Sequence, residues 1–453
     1  MTTAIAIFDI GKTNKKLFLI DEQYRIVLEK SENFAETTDE DGDACEDLGK
    51  LTDWVVSSFR EVSEDQRFEI KAVNFSAYGA SFVHLDTEGV AVAPLYNYLK
   101  PLSEVLKRQF YEDNGSEAAF SRVSASPVLG NLNSGMQIYR LKYEKPEVFK
   151  KIAFSLHLPQ YLSYLFSKQT YSDITSIGCH TNLWNFDENR YADWVAKEGI
   201  LEKLPPLFPS DSVVETDENL KVGVGLHDSS SALIPYLRSF DEPFLLISTG
   251  TWCISMNPFN DSPLTDFELE NDCLCYMTFQ GKPVKSARLF AGFEHEEQTK
   301  RIAEYFNLSQ DFYKNIAYDA EIIAILRERN RRILRGFTAA TVRTASVFGQ
   351  RDLADLETVE YTYHQLILDL MAQQVASTEL VLRGSEPIER LFVDGGFSKN
   401  PIYMTLLAQA FPHIQVYAAS VAQASAMGAA LAIHPHWNEK DVPTHLIDLK
   451  KYG

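Results

Sequence analysis

The chain of 453 residues is longer than one hydrophobic core usually serves, which predicts two domains. Its 45 % apolar and 23 % charged residues are typical of a globular protein, and its formal net charge of −20 argues against a nucleic acid or an anionic membrane as partner. No segment approaches ~18 consecutive apolar residues and no signal sequence is recognised, so a cytoplasmic location is expected.

The first predicted element is a β-hairpin over residues 4–20 whose turn is suited to phosphate. Gly11 lets backbone N–H groups approach an anion closely, and Asp9, at the end of the first strand, is placed to reach a phosphate-bound Mg²⁺ through water. An acidic protein that handles phosphate needs local cations, a role predicted for Lys12, Lys15 and Lys16. Glycine and Asn also occur in ordinary hairpin turns, so this segment alone leaves both interpretations open.

The N-terminal half continues with strands and helices in alternation. The predicted strands are 25–31, 70–75 and 81–85, with an acidic loop at 36–47, a helix at 48–62 and a turn at 76–81. Helical periodicity dominates 103–144 and 159–167, and prolines at 205, 206 and 209 predict an irregular connection. This alternation indicates an α/β fold.

Residues 223–234 combine a strand end, a polar turn and the first turn of a helix. Asp228 lies near the predicted helix start, where it is either an N-cap or a catalytic base, and the two roles are compatible. A helix N-terminus favours the ionised carboxylate that a base must be. His227 is interpreted as a hydrogen-bonding neighbour or a sugar contact, because no other His or Cys stands at ligand-like spacing nearby.

A second hairpin at 243–257 repeats the first, with Thr249-Gly250-Thr251 at its turn. Two such hairpins half a chain apart predict a duplicated architecture, with domains 1–238 and 239–453. Further helices are predicted at 294–306, 320–336, 361–382 and 401–411. A buried strand at 390–394 leads into Gly395 and Gly396, which would let backbone pack against a nucleotide, with Ser398 capping the next helix.

The five cysteines, at 45, 179, 253, 273 and 275, are odd in number and lack zinc-site spacing. Cys273 and Cys275 are too isolated to complete a four-ligand site. We therefore expect reduced, mostly buried thiols.

A kinase acting on a small alcohol needs donors for the β- and γ-phosphates, a metal site, a base for the hydroxyl proton and a cleft that excludes water. The chain offers a candidate for each. The two glycine hairpins are expected to face each other across the cleft, Asp9 to hold the metal, and Asp228 to act as the base.

These segments, in this order, resemble the FGGY carbohydrate kinases of the actin-like ATPase superfamily. The matching motifs are Asp9-Ile-Gly-Lys-Thr-Asn14, Gly225-Leu-His-Asp228, Ser248-Thr-Gly-Thr-Trp252, Asp394-Gly-Gly-Phe-Ser-Lys-Asn400 and the late segment 422–430. The resemblance implies two actin-like (ribonuclease H-like) domains with a cleft between them, and it is strongest to the L-rhamnulose and L-fuculose kinase branch. It implies transfer of phosphate from ATP, with Mg²⁺, to a primary hydroxyl group of a ketose, with Asp228 as base.

The same resemblance implies a set of contacts. The ATP and phosphate contacts are Gly11, Lys12, Thr13, Asn14, Thr249, Gly250, Thr251, Gly395, Gly396, Ser398 and Asn400. The metal ligand is Asp9. The sugar contacts are Tyr78, Ser81, Gln137 and His227, although for Gln137 exposure on a helix surface is an equal alternative.

Several positions depart from the family pattern. Ser81 replaces a carboxylate, the segment 96–98 with Asn97 at its centre has no charge, Gln423 replaces a Glu, and Phe397 replaces a glycine. Buried sugar hydroxyls left unpaired cost about 1–3 kcal/mol each, so these changes predict a substrate other than L-rhamnulose, such as another deoxy-ketose or a pentulose.

Two alternatives accompany the kinase hypothesis. One is a sugar or nucleotide sensor on the same scaffold, suggested by the altered sugar contacts. The other is an actin-like or chaperone ATPase, which the Gly225–Asp228 motif disfavours. The identity of the sugar, the hydroxyl group phosphorylated and the formation of a homodimer are left open by the sequence.

Overall fold

The structure, a computed structural model, describes residues 1–333 and 347–453. These residues form two compact units. The first unit comprises Met1–Ser239, Cys275–Pro283 and Ala422–Leu446, and the second comprises Phe240–Leu274, Val284–Val421 and Ile447–Gly453. The last three residues of the helix predicted at 320–336 lie outside the described residues.

The strands and α-helices follow in chain order. The strands are β1 Thr2–Ile10, β2 Lys15–Asp21, β3 Ile26–Glu32, β4 Thr37–Thr38, β5 Ala44–Glu46, β6 Phe68–Ala77, β7 Phe82–Leu85, β8 Leu95–Tyr96, β9 Phe154–His157, β10 Trp184–Asn185, β11 Arg190–Tyr191, β12 Val213–Glu215, β13 Lys221–Gly223, β14 Leu226–His227, β15 Phe244–Thr249, β16 Cys253–Asn257, β17 Cys273–Met277, β18 Pro283–Leu289, β19 Arg390–Gly395, β20 Gln415–Ser420 and β21 Asp448–Tyr452. The helices are α1 Leu48–Glu64, α2 Glu104–Asn114, α3 Glu117–Val123, α4 Gly135–Glu144, α5 Pro146–Lys151, α6 Leu158–Ser167, α7 Ile174–Ile177, α8 Asp193–Lys197, α9 Asp228–Ser239, α10 Asp266–Glu270, α11 Ala291–Phe306, α12 Ala320–Ile333, α13 Val359–Leu382, α14 Pro401–Ala410, α15 Ala424–Ala432 and α16 His434–Trp437.

The first unit is built on a mixed sheet with strand order β12-β13-β6-β1-β2-β3. β1 pairs antiparallel with β2 and parallel with β6, and β14 adds in parallel to the end of β6. The middle of β1 is an apolar run that is buried along its length, as expected of a strand covered on both faces. Its neighbours in the core come from β2, β6 and helices α1 and α6.

The second unit repeats this arrangement in the order β18-β16-β15-β19-β20-β21. β15 pairs antiparallel with β16 and parallel with β19, as β1 does with β2 and β6. Both predicted hairpins are therefore confirmed, and so are the α/β class and the duplicated architecture.

The sheet topology determines where the motifs lie. Parallel strands end at the same edge of a sheet, and ligands of open α/β sheets bind outside the carboxyl ends of the strands. In the first unit β1, β6 and β14 end at Ile10, Ala77 and His227, so the segments that follow them share one edge. In the second unit β15 and β19 end together at Thr249 and Gly395.

Two local predictions need correction. The acidic stretch 36–47 is not simply a loop, since it contains β4 and β5, and Lys100 lies 2.6 Å from carboxylates of both Asp39 and Asp43. The helical region 103–144 is divided into α2, α3 and α4. Among the described residues, no helix combines the length and the apolar character that crossing a membrane requires.

Candidate functional site

Asp228 is the central acidic residue at the edge of the first sheet. It is the first residue of α9, and its Oδ1 accepts a hydrogen bond from the backbone N–H of Ser229 at 2.6 Å. Withdrawal from water by the surrounding protein raises its pKa from 3.8 to about 6, while the hydrogen bonds from Ser229 oppose the rise. Its side chain keeps 38 % exposure, so the carboxylate is accessible. A pKa of about 6 leaves it mostly ionised at pH 7.

Asp9 lies at the end of β1 on the same edge. Its Oδ2 accepts a hydrogen bond from Ser425 Oγ at 2.8 Å, at the first turn of α15. Burial raises the pKa of Asp9 to about 6, and repulsion from Asp228 contributes to the rise. A carboxylate oxygen is a donor suited to a hard divalent cation, and a cation at Asp9 would offset the repulsion from Asp228, so Asp9 fits Mg²⁺.

His227 is buried beside Asp228 and contacts a cysteine from a distant part of the chain. Its Nε2 lies 3.2 Å from Asp228 Oδ1 and 3.3 Å from Cys179 Sγ. Its Nδ1 has no hydrogen-bond partner, and burial lowers its pKa to about 3, so the ring is neutral. The sequence signalled neither Cys179 nor His180 as a neighbour of His227, and the grouping of these three side chains is a finding of the structure.

The turn after β6 connects His227 to Gln137. A Cβ atom on Gly79 would lie 2.8 Å from the His227 ring, so the turn packs directly on that histidine. Gln137 Nε2 donates to the backbone oxygens of Ala80 at 2.6 Å and Asn131 at 2.8 Å. Gln137 is 2 % exposed, so the alternative of exposure on a helix surface is wrong. Its Oε1 has no hydrogen-bond partner and remains able to accept a bond from a ligand.

Tyr78 and Ser81 flank this turn and are both buried. The Tyr78 hydroxyl donates to Glu46 Oε2 at 2.8 Å, and burial raises the pKa of this phenol well above its usual value. Ser81 Oγ lies beside that hydroxyl. Tyr98 is near enough to Asp228 for the carboxylate to help raise its pKa.

The three lysines of the first hairpin are not equivalent. Lys15 is buried, and its Nζ lies 2.5 Å from Glu46 Oε1, so the role of a phosphate cation is wrong for this residue. Lys12 and Lys16 are partly exposed and pair with Glu36 at 3.0 Å and Glu29 at 3.1 Å.

The loop between β1 and β2 is closed by its own backbone. Gly11 N donates to Asn14 O at 2.9 Å, and a Cβ atom on Gly11 would approach that oxygen to 3.2 Å. Thr13 and Asn14 are exposed, so their polar groups are accessible to a ligand. Gln423, the position where a Glu was expected, precedes α15 in a left-handed conformation with φ +52°.

A cavity of about 520 Å³ opens in the second unit next to the ends of β15 and β19. Its lining includes four predicted ATP contacts, namely Thr249, Gly250, Gly396 and Asn400. It also includes Gly292, His295, Tyr313, Lys314, Phe397, Lys399 and Pro401, which the sequence did not mark as contacts. Of the other predicted residues, Thr251 and Gly395 lie at the adjoining turns and are exposed, and Ser398 is buried.

The glycines of this region divide into two kinds. A Cβ atom on Gly395 would lie 1.9 Å from Thr249 O, and one on Gly292 would lie 1.8 Å from Gly250 O, so both permit close backbone packing. A Cβ atom on Gly250 or Gly396 would meet nothing within 4 Å, so these two face open space. Thr249 Oγ1 bridges the strand ends, since it donates to Asp394 O at 2.6 Å and accepts from Phe397 N at 3.0 Å.

The capping role predicted for Ser398 is wrong. The N-cap of α14 is Asn400, whose side-chain oxygen accepts from the backbone N–H groups of Ile402 and Tyr403. Ser398 Oγ donates to Gly395 O at 2.8 Å and so supports the glycine turn. Pro401 at the first helical position is a sequence signal that could have placed the cap correctly.

Comparisons with known proteins identify related chains. Residues 4–230 match the N-terminal domain of the FGGY family of carbohydrate kinases, and residues 241–441 match the C-terminal domain of the same family. A rhamnulokinase from Mannheimia succiniciproducens is 23 % identical over 277 residues, which are 58 % of this chain and 55 % of that protein. The chain thus spans about half the length of the curated relatives it matches.

Solved structures share the fold over nearly the whole chain. A carbohydrate kinase from Novosphingobium aromaticivorans has a TM-score of 0.80 at 22 % identity, covering 99 % of this chain and 94 % of that one. A ligand-bound xylulose kinase from Lactobacillus acidophilus has a TM-score of 0.79 at 15 % identity, covering 99 % and 93 %. These similarities confirm the predicted two-domain actin-like fold.

Proposed function

Because the chain belongs to the FGGY family of carbohydrate kinases, we propose that it transfers the γ-phosphate of ATP to a hydroxyl group of a ketose. The observation that carries this proposal is the accessible Asp228 carboxylate, which shares a sheet edge with Asp9 and with buried polar side chains whose hydrogen-bonding capacity is unused. Because ATP is the proposed phosphate donor, we also propose a cytoplasmic location.

Asp228 acts as the general base in this reaction. The carboxylate accepts the proton of the sugar hydroxyl, the hydroxyl oxygen forms a bond to the γ-phosphorus, and the bond from that phosphorus to the β,γ-bridging oxygen breaks to release ADP. A pKa of about 6 suits this role, because the group is ionised at pH 7 and is a stronger base than an ordinary Asp.

The cavity of the second unit binds the nucleotide. Because Gly250 and Gly396 lack side chains and face open space, the phosphates of ATP can approach their backbone N–H groups. Tyr313, His295 and Phe397 supply flat apolar surface suited to an adenine ring. Lys314 and Lys399 give this cavity positive charge in an otherwise acidic protein.

Asp9 is the residue suited to hold Mg²⁺ in the first unit, which leaves the Asp228 carboxylate free to act as the base. Magnesium bound with ATP neutralises phosphate charge that would otherwise repel the carboxylates. Asp9 is held in place for this role by its hydrogen bond from Ser425.

The acceptor is a ketose of the L-rhamnulose and L-fuculose type or a pentulose. Gln137 Oε1 accepts from one sugar hydroxyl and His227 Nδ1 from another, since both atoms are buried and unpaired. Ser81 offers a neutral hydroxyl at the position where the family resemblance implies a carboxylate, so the substrate differs at the hydroxyl group that this position contacts. Relatives named rhamnulokinase and a neighbour named xylulose kinase support this choice of sugars.

A substrate panel tests the proposal. Purified protein with ATP and Mg²⁺ is assayed for ADP release with L-rhamnulose, L-fuculose, L-ribulose and D-xylulose, and with the matching polyols as controls. We expect release that depends on one ketose, with a sugar phosphate detected by mass spectrometry. Folded, ATP-binding protein that hydrolyses ATP at the same slow rate with every sugar would contradict the kinase proposal and favour a sensor.

A further inference from the structure

Cys179, His180 and His227, here called the Cys-His-His cluster, lie together in the first unit. Cys179 and His180 follow α7 after a single glycine, whereas His227 ends β14, so the fold unites residues 47 or more positions apart. One ligand atom from each of the three lies within 4.8 Å of the others. In residues 1–333 and 347–453, no other group of three His, Cys, Asp or Glu side chains has this geometry.

We propose that the Cys-His-His cluster binds a zinc-class divalent ion. A thiolate and two imidazoles are the donors that zinc prefers, and three protein ligands leave the fourth position of a tetrahedral ion open. Neighbouring ligand atoms around such an ion stand roughly 3.3–3.8 Å apart, as follows from Zn–N and Zn–S bonds of about 2.0–2.3 Å. Cys179 Sγ and His227 Nε2 are 3.3 Å apart, so they are already at bridging distance.

The backbone conformation, packing and burial around the Cys-His-His cluster suit a metal site. His180 adopts φ +36°, a conformation that costs a non-glycine residue free energy and that is enriched at functional sites. A Cβ atom on Gly79 would lie 2.8 Å from His227 and 3.4 Å from Cys179, so only glycine allows the turn after β6 to pack here. The three ligands are also buried, with exposures of 1 %, 7 % and 4 %, which protects a bound ion from competing water.

The ion would lie next to Asp228. Asp228 Oδ1 is 3.2 Å from His227 Nε2, the nitrogen that also faces Cys179. An ion on that nitrogen attracts the carboxylate and removes its freedom to accept a proton, and it occupies space beside Asp228 that the reacting sugar hydroxyl group needs. Zinc therefore inhibits phosphoryl transfer in competition with the sugar. This inhibition rests on the proposed function, whereas the binding itself does not.

Cobalt and zinc titrations of the metal-free full chain test the binding. Co²⁺ should bind with one equivalent and give a sulfur-to-cobalt charge-transfer absorption that Zn²⁺ then displaces. Cys179→Ser should abolish this absorption, and His180→Gln should weaken Co²⁺ binding at least about tenfold. Cys45→Ser is the matched control, since Cys45 is also buried in the first unit but lies outside the cluster. Its titration should equal that of the unmodified chain.

Thermal unfolding separates loss of a ligand from loss of the fold. Each variant is first shown to unfold cooperatively, and saturating Zn²⁺ should raise the midpoint of the unmodified chain and of Cys45→Ser but not of Cys179→Ser. No stoichiometric Co²⁺ binding, or an unchanged thiolate absorption in Cys179→Ser, would overturn the proposal and leave the contact as a thiol–imidazole hydrogen bond.

Enzyme kinetics test zinc inhibition separately from metal binding and from kinase activity itself. With an active sugar, Zn²⁺ should raise the apparent KM for the sugar without changing kcat, and a zinc-selective chelator should restore it. Binding without inhibition would overturn the inhibitory role. Cobalt binding in a protein that phosphorylates no sugar would support the metal site and count against the kinase.

Discussion

The two units place different chemistry at equivalent edges of similar sheets. In the first unit the edge presents charged and hydrogen-bonding side chains, centred on Asp228, His227 and Gln137. In the second unit it presents open backbone at Gly250 and Gly396, next to a cavity with aromatic walls. Side chains select among ligands by their shape and hydrogen bonds. Exposed backbone N–H groups bind phosphate whatever the rest of the ligand is. Under the proposed function, the same topology therefore serves a selective sugar site in the first unit and a general nucleotide site in the second.

The largest effect is expected from Asp228→Asn. Loss of the base should lower kcat by about 10²–10⁴-fold, with sugar and ATP affinity largely retained. Because the pKa of Asp228 is raised when folded, its ionised form opposes folding at pH 7, and the Asn variant should be no less stable. Steady-state kinetics, sugar binding by calorimetry and thermal unfolding check this. Asp217→Asn, at an exposed position of the same unit, is the control and should retain full activity.

A buried charge pair, Lys15 with Glu46, supports the first hairpin. Glu46→Gln leaves the buried Lys15 without its charged partner, with only its hydrogen bond to Lys12 O, and should lower the free energy of unfolding by about 3–5 kcal/mol. Glu36→Gln removes the partly exposed partner of Lys12 and should cost about 0–1 kcal/mol. Denaturant unfolding compares the two, and equal losses would contradict the distinction between Lys15 and Lys12.

In the second unit, two glycine substitutions separate packing from ligand binding. Gly292→Ala places a methyl group against Gly250 O and should lower the free energy of unfolding by about 1–3 kcal/mol or more. Gly396→Ala meets open space, so stability should change by less than about 0.5 kcal/mol while the KM for ATP rises several-fold. Thermal unfolding with ATP kinetics measures both. A Gly396→Ala enzyme with an unchanged KM for ATP would contradict the nucleotide assignment.

The pH dependence should originate in the first unit. Protonation of Asp228 below about pH 6 removes the base, so kcat/KM for the sugar should fall by at least about tenfold per pH unit there. Asp9, whose pKa is also raised to about 6, makes the fall steeper. The native state holds extra protons between about pH 4 and 6, so the free energy of unfolding should decrease as pH rises through that window. A pH series of rate and unfolding measurements checks both signs, and the Asp228→Asn enzyme should lose part of each dependence.

The smallest expected effects come from a pair of serines. Ser81→Ala removes one candidate sugar contact, worth about 0.5–1.5 kcal/mol, and should raise the KM for the sugar about 2–10-fold without changing the KM for ATP. Ser398→Ala removes the hydrogen bond to Gly395 O and should raise the KM for ATP alone. Initial-rate measurements with each substrate varied in turn test this. If Ser81→Ala raised the KM for ATP, or Ser398→Ala the KM for the sugar, the sugar site and the nucleotide site would not be separate in function.

Local signals in the sequence were enough to predict the family and most of the elements, although 36–47 and 103–144 needed correction. Apolar runs and turn residues are local signals, so the hairpins, the strand before Gly395 and the long helix α13 could be predicted from residues close together in the chain. The sequence also predicted a helix start near Asp228, and this is confirmed because Asp228 is the first residue of α9.

Which distant residues meet became visible only in the folded chain. The burial of Lys15 against Glu46, the inward position of Gln137 and the approach of Cys179 to His227 each depend on packing between segments far apart in the chain. The same holds for the segment that carries Ser425, which joins the first unit from the end of the chain and contacts Asp9 there. Sequence periodicity reports which face of an element is apolar, but it does not report which other element covers that face.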